Sequence, residues 1–147
     1  MKLFIVFRII AIFKLVDVLF HKETPQDAAA KVIEVQTANP EIIGWAMVGG
    51  WPLFSDALNK WEPGKVKIVA VDALPAQLKY LESGVAQILL AQKCYDWGYH
   101  SVELIIDKVH NGKTPKDVRD IMQLDRVTKE NVKEYAKNWD KWLGKKE

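Results

Sequence analysis

The chain has 147 residues, 49% hydrophobic and 27% charged, which is enough for one globular domain with a core of its own. Its 21 basic and 19 acidic residues leave a formal net charge of +2, so no strong positive field favours nucleic acid. The lone cysteine, Cys94, excludes an internal disulfide.

The first twenty residues are strongly apolar but are interrupted by Arg8, Lys14 and Asp17. These charges break the apolar centre that a secretory signal needs, and they are costly in a transmembrane helix. We therefore expect no clear cleavable signal or anchor here. Instead we expect one or two buried strands at the start of a sheet, with Phe13–Phe20 as the better candidate.

The remaining chain alternates predicted helices and strands. The predicted helices are Pro25–Ala38 (capped by Thr24), Trp51–Trp61, Pro75–Glu82, Tyr95–His110 and a last helix from the Thr128 cap to Trp142. The predicted strands are Ile42–Val48, Val66–Val71, Ala86–Ala91 and the more exposed Ile121–Val127. This alternation with short loops predicts an α/β fold, a parallel sheet flanked by helices with right-handed crossovers.

Two apolar runs end on polar side chains, the first on Asp72 and the second on Gln92. Continuous apolar runs of this length are typical of buried parallel strands. Ligands of open parallel sheets bind at the carboxyl ends of the strands. A carboxylate and an amide at two such ends predict a binding site for a molecule rich in hydroxyl groups.

Other motifs are incomplete. The sequence Gly112-Lys113-Thr114 lacks the upstream glycine of a phosphate-binding loop, and Gly49-Gly50 is not followed by a dinucleotide fingerprint. The three histidines have no second ligand at metal spacing. We therefore predict no catalytic residues, no metal site and no cofactor, and we do not expect an enzyme.

The order of the elements resembles the C-terminal half of type I periplasmic sugar-binding proteins, the family of ribose- and galactose-binding proteins. The resemblance runs from Phe13 to Leu143. The residues that carry it, in chain order, are Ala38-Asn39-Pro40, Ala70-Val71-Asp72, Pro75…Gly84…Gln92, Tyr95-x-x-Gly98-Tyr99, Asn111-Gly112, and Val127-Thr128-x-x-Asn131 followed by Tyr135.

The resemblance implies a Rossmann-like three-layer lobe of an ABC-type sugar importer's solute-binding protein. In the family, the residues at Asp72 and Gln92 hydrogen-bond sugar hydroxyls. The ligand is then a monosaccharide or polyol, the larger partner is the ABC transporter permease, and the location is periplasmic or extracellular. For Asp72 the alternative is a turn residue, and for Gln92 a strand-end residue bonded to the backbone.

Trp51 lies where the family commonly has polar residues, often Asn-Asp. An indole can stack on the apolar face of a pyranose and donate its N–H to a hydroxyl, so we add Trp51 to the predicted ligand-binding residues. The equal alternative is a tryptophan that starts a helix and packs on the edge of the sheet. This departure leaves the sugar open.

Two further departures bear on the domain organisation. We expect residues 1–147 to form a single C-terminal-lobe-like domain, a truncated lobe without the N-terminal lobe and without the preceding helix that carries a sugar-binding arginine. Residues 1–12 are an apolar segment without a match. The helical segment 94–118 would pack on the missing lobe, which leaves Leu104, Ile105 and Val109 uncovered and open to self-association.

Two other functions stay open. The same fold serves as the effector-binding lobe of LacI-type transcription regulators, although no helix-turn-helix precedes it here. The third hypothesis is a standalone interaction module that pairs through its exposed face and is held to a membrane by Met1–Phe20.

Overall fold

The computed structural model describes residues 14–117 and 119–144. Its helices are α1 (Pro25–Ala38), α2 (Pro75–Ser83), α3 (Cys94–His110) and α4 (Val132–Trp142), with a short 3₁₀ helix at Trp51–Phe54. Its strands are β1 (Gly44–Met47), β2 (Lys67–Val71), β3 (Ile88–Ala91) and β4 (Asp125–Val127). The predicted α/β fold is confirmed.

The four strands form one sheet in the order β1-β2-β3-β4. The first three are parallel, with Met47 beside Ala70 and Val71 beside Leu90. β4 runs antiparallel to β3, with Val127 beside Leu89. A wholly parallel sheet was therefore the wrong expectation at this edge. After α3 the chain enters β4 beside the carboxyl end of β3. Because no crossover returns the chain to the amino end of β3, β4 runs in the opposite direction.

The helix boundaries follow local capping chemistry. The Thr24 hydroxyl accepts a hydrogen bond from the Asp27 amide at 3.3 Å, and Pro25 stands in the first turn of α1, where no amide partner is needed. α2 ends at Gly84, whose φ of 81° is left-handed and therefore favours glycine. These ends agree with the sequence prediction.

The predicted helix Trp51–Trp61 is wrong beyond Phe54. Ser55 leaves the helical region with φ −109° and ψ 176°. Its hydroxyl accepts a hydrogen bond from the Ala57 amide at 3.3 Å, a local bond that competes with helix continuation. Turns follow, and Leu58 is still fully buried. The apolar pattern correctly predicted that this segment packs into the core, but the segment is a loop and not a helix.

The predicted buried strand Phe13–Phe20 is also wrong over its described part. Residues 14–20 belong to no strand. Leu15, Val18 and Phe20 are 64%, 60% and 86% exposed. An apolar run becomes a buried strand only where a neighbouring strand and a covering layer accept it, and here β1 pairs with β2 alone among the described strands. Residues 1–13 lie outside the described part.

The core lies between the sheet, α2, α4 and the 3₁₀ helix. Its fully buried side chains include Leu53, Ile68, Tyr80, Leu81 and Leu89. α3, in contrast, has no buried residue. Among the described residues, none of the helices is both long enough and apolar enough to cross a membrane.

Candidate functional site

Three segments meet at the carboxyl edge of the parallel strands. Gly50 follows β1, Asp72 is the first residue after β2, and Gln92 is the first residue after β3. The Asp72 amide donates to the Leu90 carbonyl at 2.9 Å, which continues the pairing between β2 and β3 by one residue. Because the three strands are parallel, their carboxyl ends bring all three segments to the same edge of the sheet.

The carboxylate of Asp72 lies at the centre of this edge. Its Oδ1 accepts from Gln92 Nε2 at 2.7 Å, and its Oδ2 accepts from the Gly50 amide at 3.3 Å. The backbone of Asp72 is left-handed, with φ of 77°, a conformation that aspartate tolerates better than most residues. The half-buried carboxylate thus links β1, β2 and β3.

A second polar side chain, Gln77, lies beneath this edge. It is fully buried at the start of α2. Its Oε1 accepts from the Leu74 amide at 2.7 Å, and its Nε2 donates to the Gly50 carbonyl at 3.3 Å. Gly50 is therefore bound on both sides of its backbone, by Asp72 at the amide and by Gln77 at the carbonyl.

The indole of Trp51 is half-buried and packs edge-on against Phe54, with the ring centroids 5.6 Å apart. The same indole lies against Gly49, because a Cβ built on Gly49 would be 3.3 Å from its Cδ1 and 3.6 Å from its Nε1. Trp51 begins the 3₁₀ helix. Its sequence position beside Gly50 also keeps it next to the bonded edge.

Aromatic residues of α4 brace this side of the sheet. Trp139 Nε1 donates to the carbonyl of Ala73, the residue after Asp72, at 3.0 Å. Trp142 contacts the rings of Tyr95, Tyr135 and Trp139. Burial, followed by the nearby Asp125 and Cys94, raises the pKa of Tyr135 to about 12. The loop that carries Asp72 is thus held from α4 as well.

The arrangement is suited to hydroxyl recognition. A carboxylate oxygen can accept two hydrogen bonds, so within the part of the chain that the structure describes each oxygen of Asp72 keeps one acceptor position. Gln92 keeps its Oε1 as an acceptor and one amide hydrogen as a donor, counted over the described residues. Within the same residues, no group of three or more His, Cys, Asp or Glu side chains could hold a metal ion.

A shallow concavity of about 550 Å³ lies elsewhere, along α3, and is lined by Tyr95, Tyr99, Val102 and Ile106 among others. It includes none of the residues at the Asp72 edge. All of its lining residues belong to α3, so the concavity is part of the exposed surface of one helix. The Asp72 edge and this concavity are therefore separate features.

The structure joins Asp72 and Gln92 directly, while Trp51 has no hydrogen bond to either of them among the described contacts. The sequence analysis did not find Gln77. A signal was present, since glutamine at the third position of a helix often bonds back to the amide before the helix, and Pro75 marks that start. It also missed Gly50 as the residue that both Asp72 and Gln77 bind.

No protein-family model matches the chain, and no curated protein matches it. Solved structures do. A carbohydrate-transporter solute-binding protein from Agrobacterium radiobacter, solved with D-arabinose, is 23% identical over 86% of this chain, with a TM-score of 0.73. An ABC-transporter solute-binding protein from Burkholderia graminis, also solved with D-arabinose, is 25% identical over 81%, with a TM-score of 0.71. A putative LacI transcriptional regulator from Bacteroides fragilis is 18% identical over 79%, with a TM-score of 0.65.

The chain spans only 43%, 43% and 40% of these three proteins. It therefore corresponds to less than half of each. The similarity in three dimensions covers most of this chain, as the sequence resemblance predicted. The chain has the fold of one lobe of the periplasmic sugar-binding proteins that serve ABC transporters.

Proposed function

We propose that this chain is a sugar-binding lobe of an ABC-importer solute-binding protein and that it binds a monosaccharide or polyol at the Asp72 edge. The observation that carries the proposal is the bonded pair of Asp72 and Gln92 at adjacent strand ends. Similarity to solute-binding proteins solved with D-arabinose supports it. Trp51 is proposed as the apolar face of the same site.

The chemistry of the pair favours polyhydroxyl ligands. The two free acceptor positions of Asp72 suit two neighbouring hydroxyls of one ring, and the second amide hydrogen of Gln92 suits a ring or hydroxyl oxygen. A sugar hydroxyl that donates to the carboxylate replaces a hydrogen bond that the carboxylate would otherwise accept from water. An epimer that leaves one of these groups unpaired loses about 1–3 kcal/mol, which is the basis of stereochemical selection.

We further propose that a second α/β lobe covers the α3 face and closes over the sugar. The described chain leaves Tyr99, Val102, Ile105 and Val109 exposed by 61%, 55%, 62% and 70%. Solute-binding proteins with this fold are more than twice as long as the part that matches. Docking on a permease, and a periplasmic location, belong to that complete two-lobed form.

The first test is thermal unfolding of the chain with pentoses, hexoses and polyols at millimolar concentration. A ligand at ten times its Kd stabilises the folded state by about 1.4 kcal/mol. For a domain of this size we expect a rise in Tm of roughly 4 °C. The rise should be stereospecific and should vanish in Asp72→Ala.

The matched control is Asp56→Asn. Asp56 is an exposed carboxylate whose partners, Lys79 and Asn59, lie away from the strand ends. This variant should keep the full sugar-dependent rise. Binding that survives Asp72→Ala together with Gln92→Ala would contradict the site, and no shift with any sugar would contradict binding by the lobe alone.

The second candidate is the effector-binding lobe of a LacI-type regulator, which the Bacteroides fragilis structure supports. Both candidates use the same strand ends for a small ligand, so the thermal test serves both. A DNA-binding headpiece encoded directly upstream would decide for the regulator.

A further inference from the structure

Gln77 is the only buried amide or charged side chain among the described residues, and both ends of its amide are used. One end accepts from the Leu74 amide on the segment that follows Asp72, and the other donates to the carbonyl of Gly50. A buried amide that spans two loops at a strand edge fixes the distance between them.

The contact is so close that it requires glycine. A Cβ on Gly50 would lie 1.7 Å from Gln77 Nε2, 2.9 Å from Gln77 Cδ and 2.8 Å from the Val71 carbonyl oxygen. The backbone of Gly50 has φ of −80°, which any residue can adopt. The glycine is therefore needed for space, and Gln77 is what occupies that space.

We propose that Gln77 is a positioning residue of the ligand site. It holds Gly50 so that the Gly50 amide orients Asp72 Oδ2 and the following residue, Trp51, keeps its indole at the edge. The expected effect of Gln77 on affinity rests on the proposed sugar-binding function. Its role in positioning the edge rests only on the hydrogen bonds of Gly50. The 3₁₀ helix contributes one further bond, from the Leu53 amide to the Gly50 carbonyl at 2.9 Å.

The chain provides a matched control in Gln87. Its Oε1 accepts from the Ile68 amide at 2.7 Å, and its Nε2 donates to the Gly84 carbonyl at 2.9 Å. It thus bridges two backbone segments as Gln77 does, but at the amino ends of the strands, opposite the site. Loss of the Gln77 amide removes two hydrogen bonds to the backbone, and loss of the Gln87 amide removes three, because Gln87 Nε2 also donates to the Val85 carbonyl at 3.4 Å. Only loss of Gln77 should disturb the site.

The test compares Gln77→Met and Gln87→Met with the wild-type chain below their unfolding temperatures. The first readout needs no ligand: the indole N–H resonance of Trp51, assigned with Trp51→Phe, in the two-dimensional NMR spectrum of ¹⁵N-labelled protein. We expect it to move in Gln77→Met and to stay in place in Gln87→Met. The second readout is the Kd for the sugar that most raises the Tm, which should rise about tenfold in Gln77→Met alone.

If Gln77→Met does not fold, Gln77→Asn takes its place, because it stays neutral and polar but is one methylene too short to keep both bonds, to the Leu74 amide and to the Gly50 carbonyl, in their present geometry. An indole resonance that stays in place, or that moves equally in Gln87→Met, overturns the inference. A moved resonance with an unchanged Kd overturns the effect on affinity. If the wild-type chain binds no sugar, the proposed function fails, while the indole resonance still decides whether Gln77 positions the edge.

Discussion

At the scale of single residues, Gly50 determines how closely the first and second strand ends approach each other. The site for a Cβ is already filled by the amide of Gln77 and the carbonyl of Val71. Packing of this density does not yield without moving backbone. The short distance between these two strand ends therefore depends on the absence of a side chain at Gly50 as much as on the polar side chains around it.

Gly50→Ala should destabilise the fold by about 1–3 kcal/mol, the usual cost of forcing a methyl group into a filled core. Urea unfolding measures it. The control is Gly98→Ala in α3, where a Cβ meets nothing within 4 Å. A helical alanine there should stabilise by about 0.5–1 kcal/mol. Equal effects of the two substitutions would contradict the packing described for Gly50.

The sequence was sufficient to predict Asp72 and Gln92 as neighbours, because both end apolar runs that alternate with helices. The role of Gln77 was not predicted because it depends on a contact with Gly50, 27 positions earlier in the chain. The position of Gln77 in the first turn of α2 indicates its bond to the Leu74 amide, but nothing in the local pattern indicates its contact with Gly50. Tertiary contacts of this kind appear only once the strands are placed in register.

At the scale of elements, α4 is joined to the site loop by Trp139 and to α3 by the contact of Trp142 with Tyr95. Tyr135 lies within this aromatic cluster with only 9% of its surface exposed. Ionising its hydroxyl places a charge in an apolar environment. The cluster should therefore be sensitive to alkaline conditions.

Burial, with a smaller contribution from Asp125 and Cys94, raises the pKa of Tyr135 from 10.0 to about 12. Because the folded-state pKa is above the unfolded one, the neutral tyrosine gives its full stability below pH 10, and this stability is lost as pH rises through about 12. We expect Tyr135→Phe to match the wild-type chain at pH 7 and to retain up to about 2 kcal/mol more stability near pH 12. Parallel stability curves of the two proteins between pH 9 and pH 12, measured by urea unfolding, would contradict this account.

The face of α3 formed by Tyr95, Tyr99, Val102, Ile106 and Val109 is apolar and exposed. Exposed apolar patches of this kind drive association. We predict that the chain associates through this face, and that Val102→Glu reduces concentration-dependent association in sedimentation velocity with a change in stability within about 0.5 kcal/mol, because the position is on the surface. The control is Ile43→Glu, an exposed apolar position beside β1. Association unchanged by Val102→Glu would show that this face is not the surface involved.

The sequence predicted the elements better than their ends. α1 was predicted from its Thr24 cap and has the predicted bounds, and α2 begins at the predicted Pro75 and ends one residue beyond the predicted Glu82. The segment after Phe54 and the run before α1 carry apolar residues without such signals. Their conformation depends on Ser55 hydrogen bonds in one case and on the presence of a pairing strand in the other, and a local pattern determines neither.

At the scale of the whole molecule, the described residues have the fold of one lobe, with the polar strand ends at one edge and the apolar face of α3 exposed. A sugar held at that edge contacts only one wall, so its affinity should be modest until a second wall closes over it. We expect the hydroxyl groups of that sugar to be bound by Asp72 and Gln92 together.

The most direct measurement is titration of the ¹⁵N-labelled chain with the sugar that gives the largest rise in Tm. We expect the side-chain amide of Gln92 and the backbone amide of Gly50 to shift in the NMR spectrum with one common Kd. The side-chain amide of Gln87, at the opposite end of the strands, should stay in place. Shifts confined to α3, or equal at Gln87 and Gln92, would show that the sugar does not bind at the Asp72 edge.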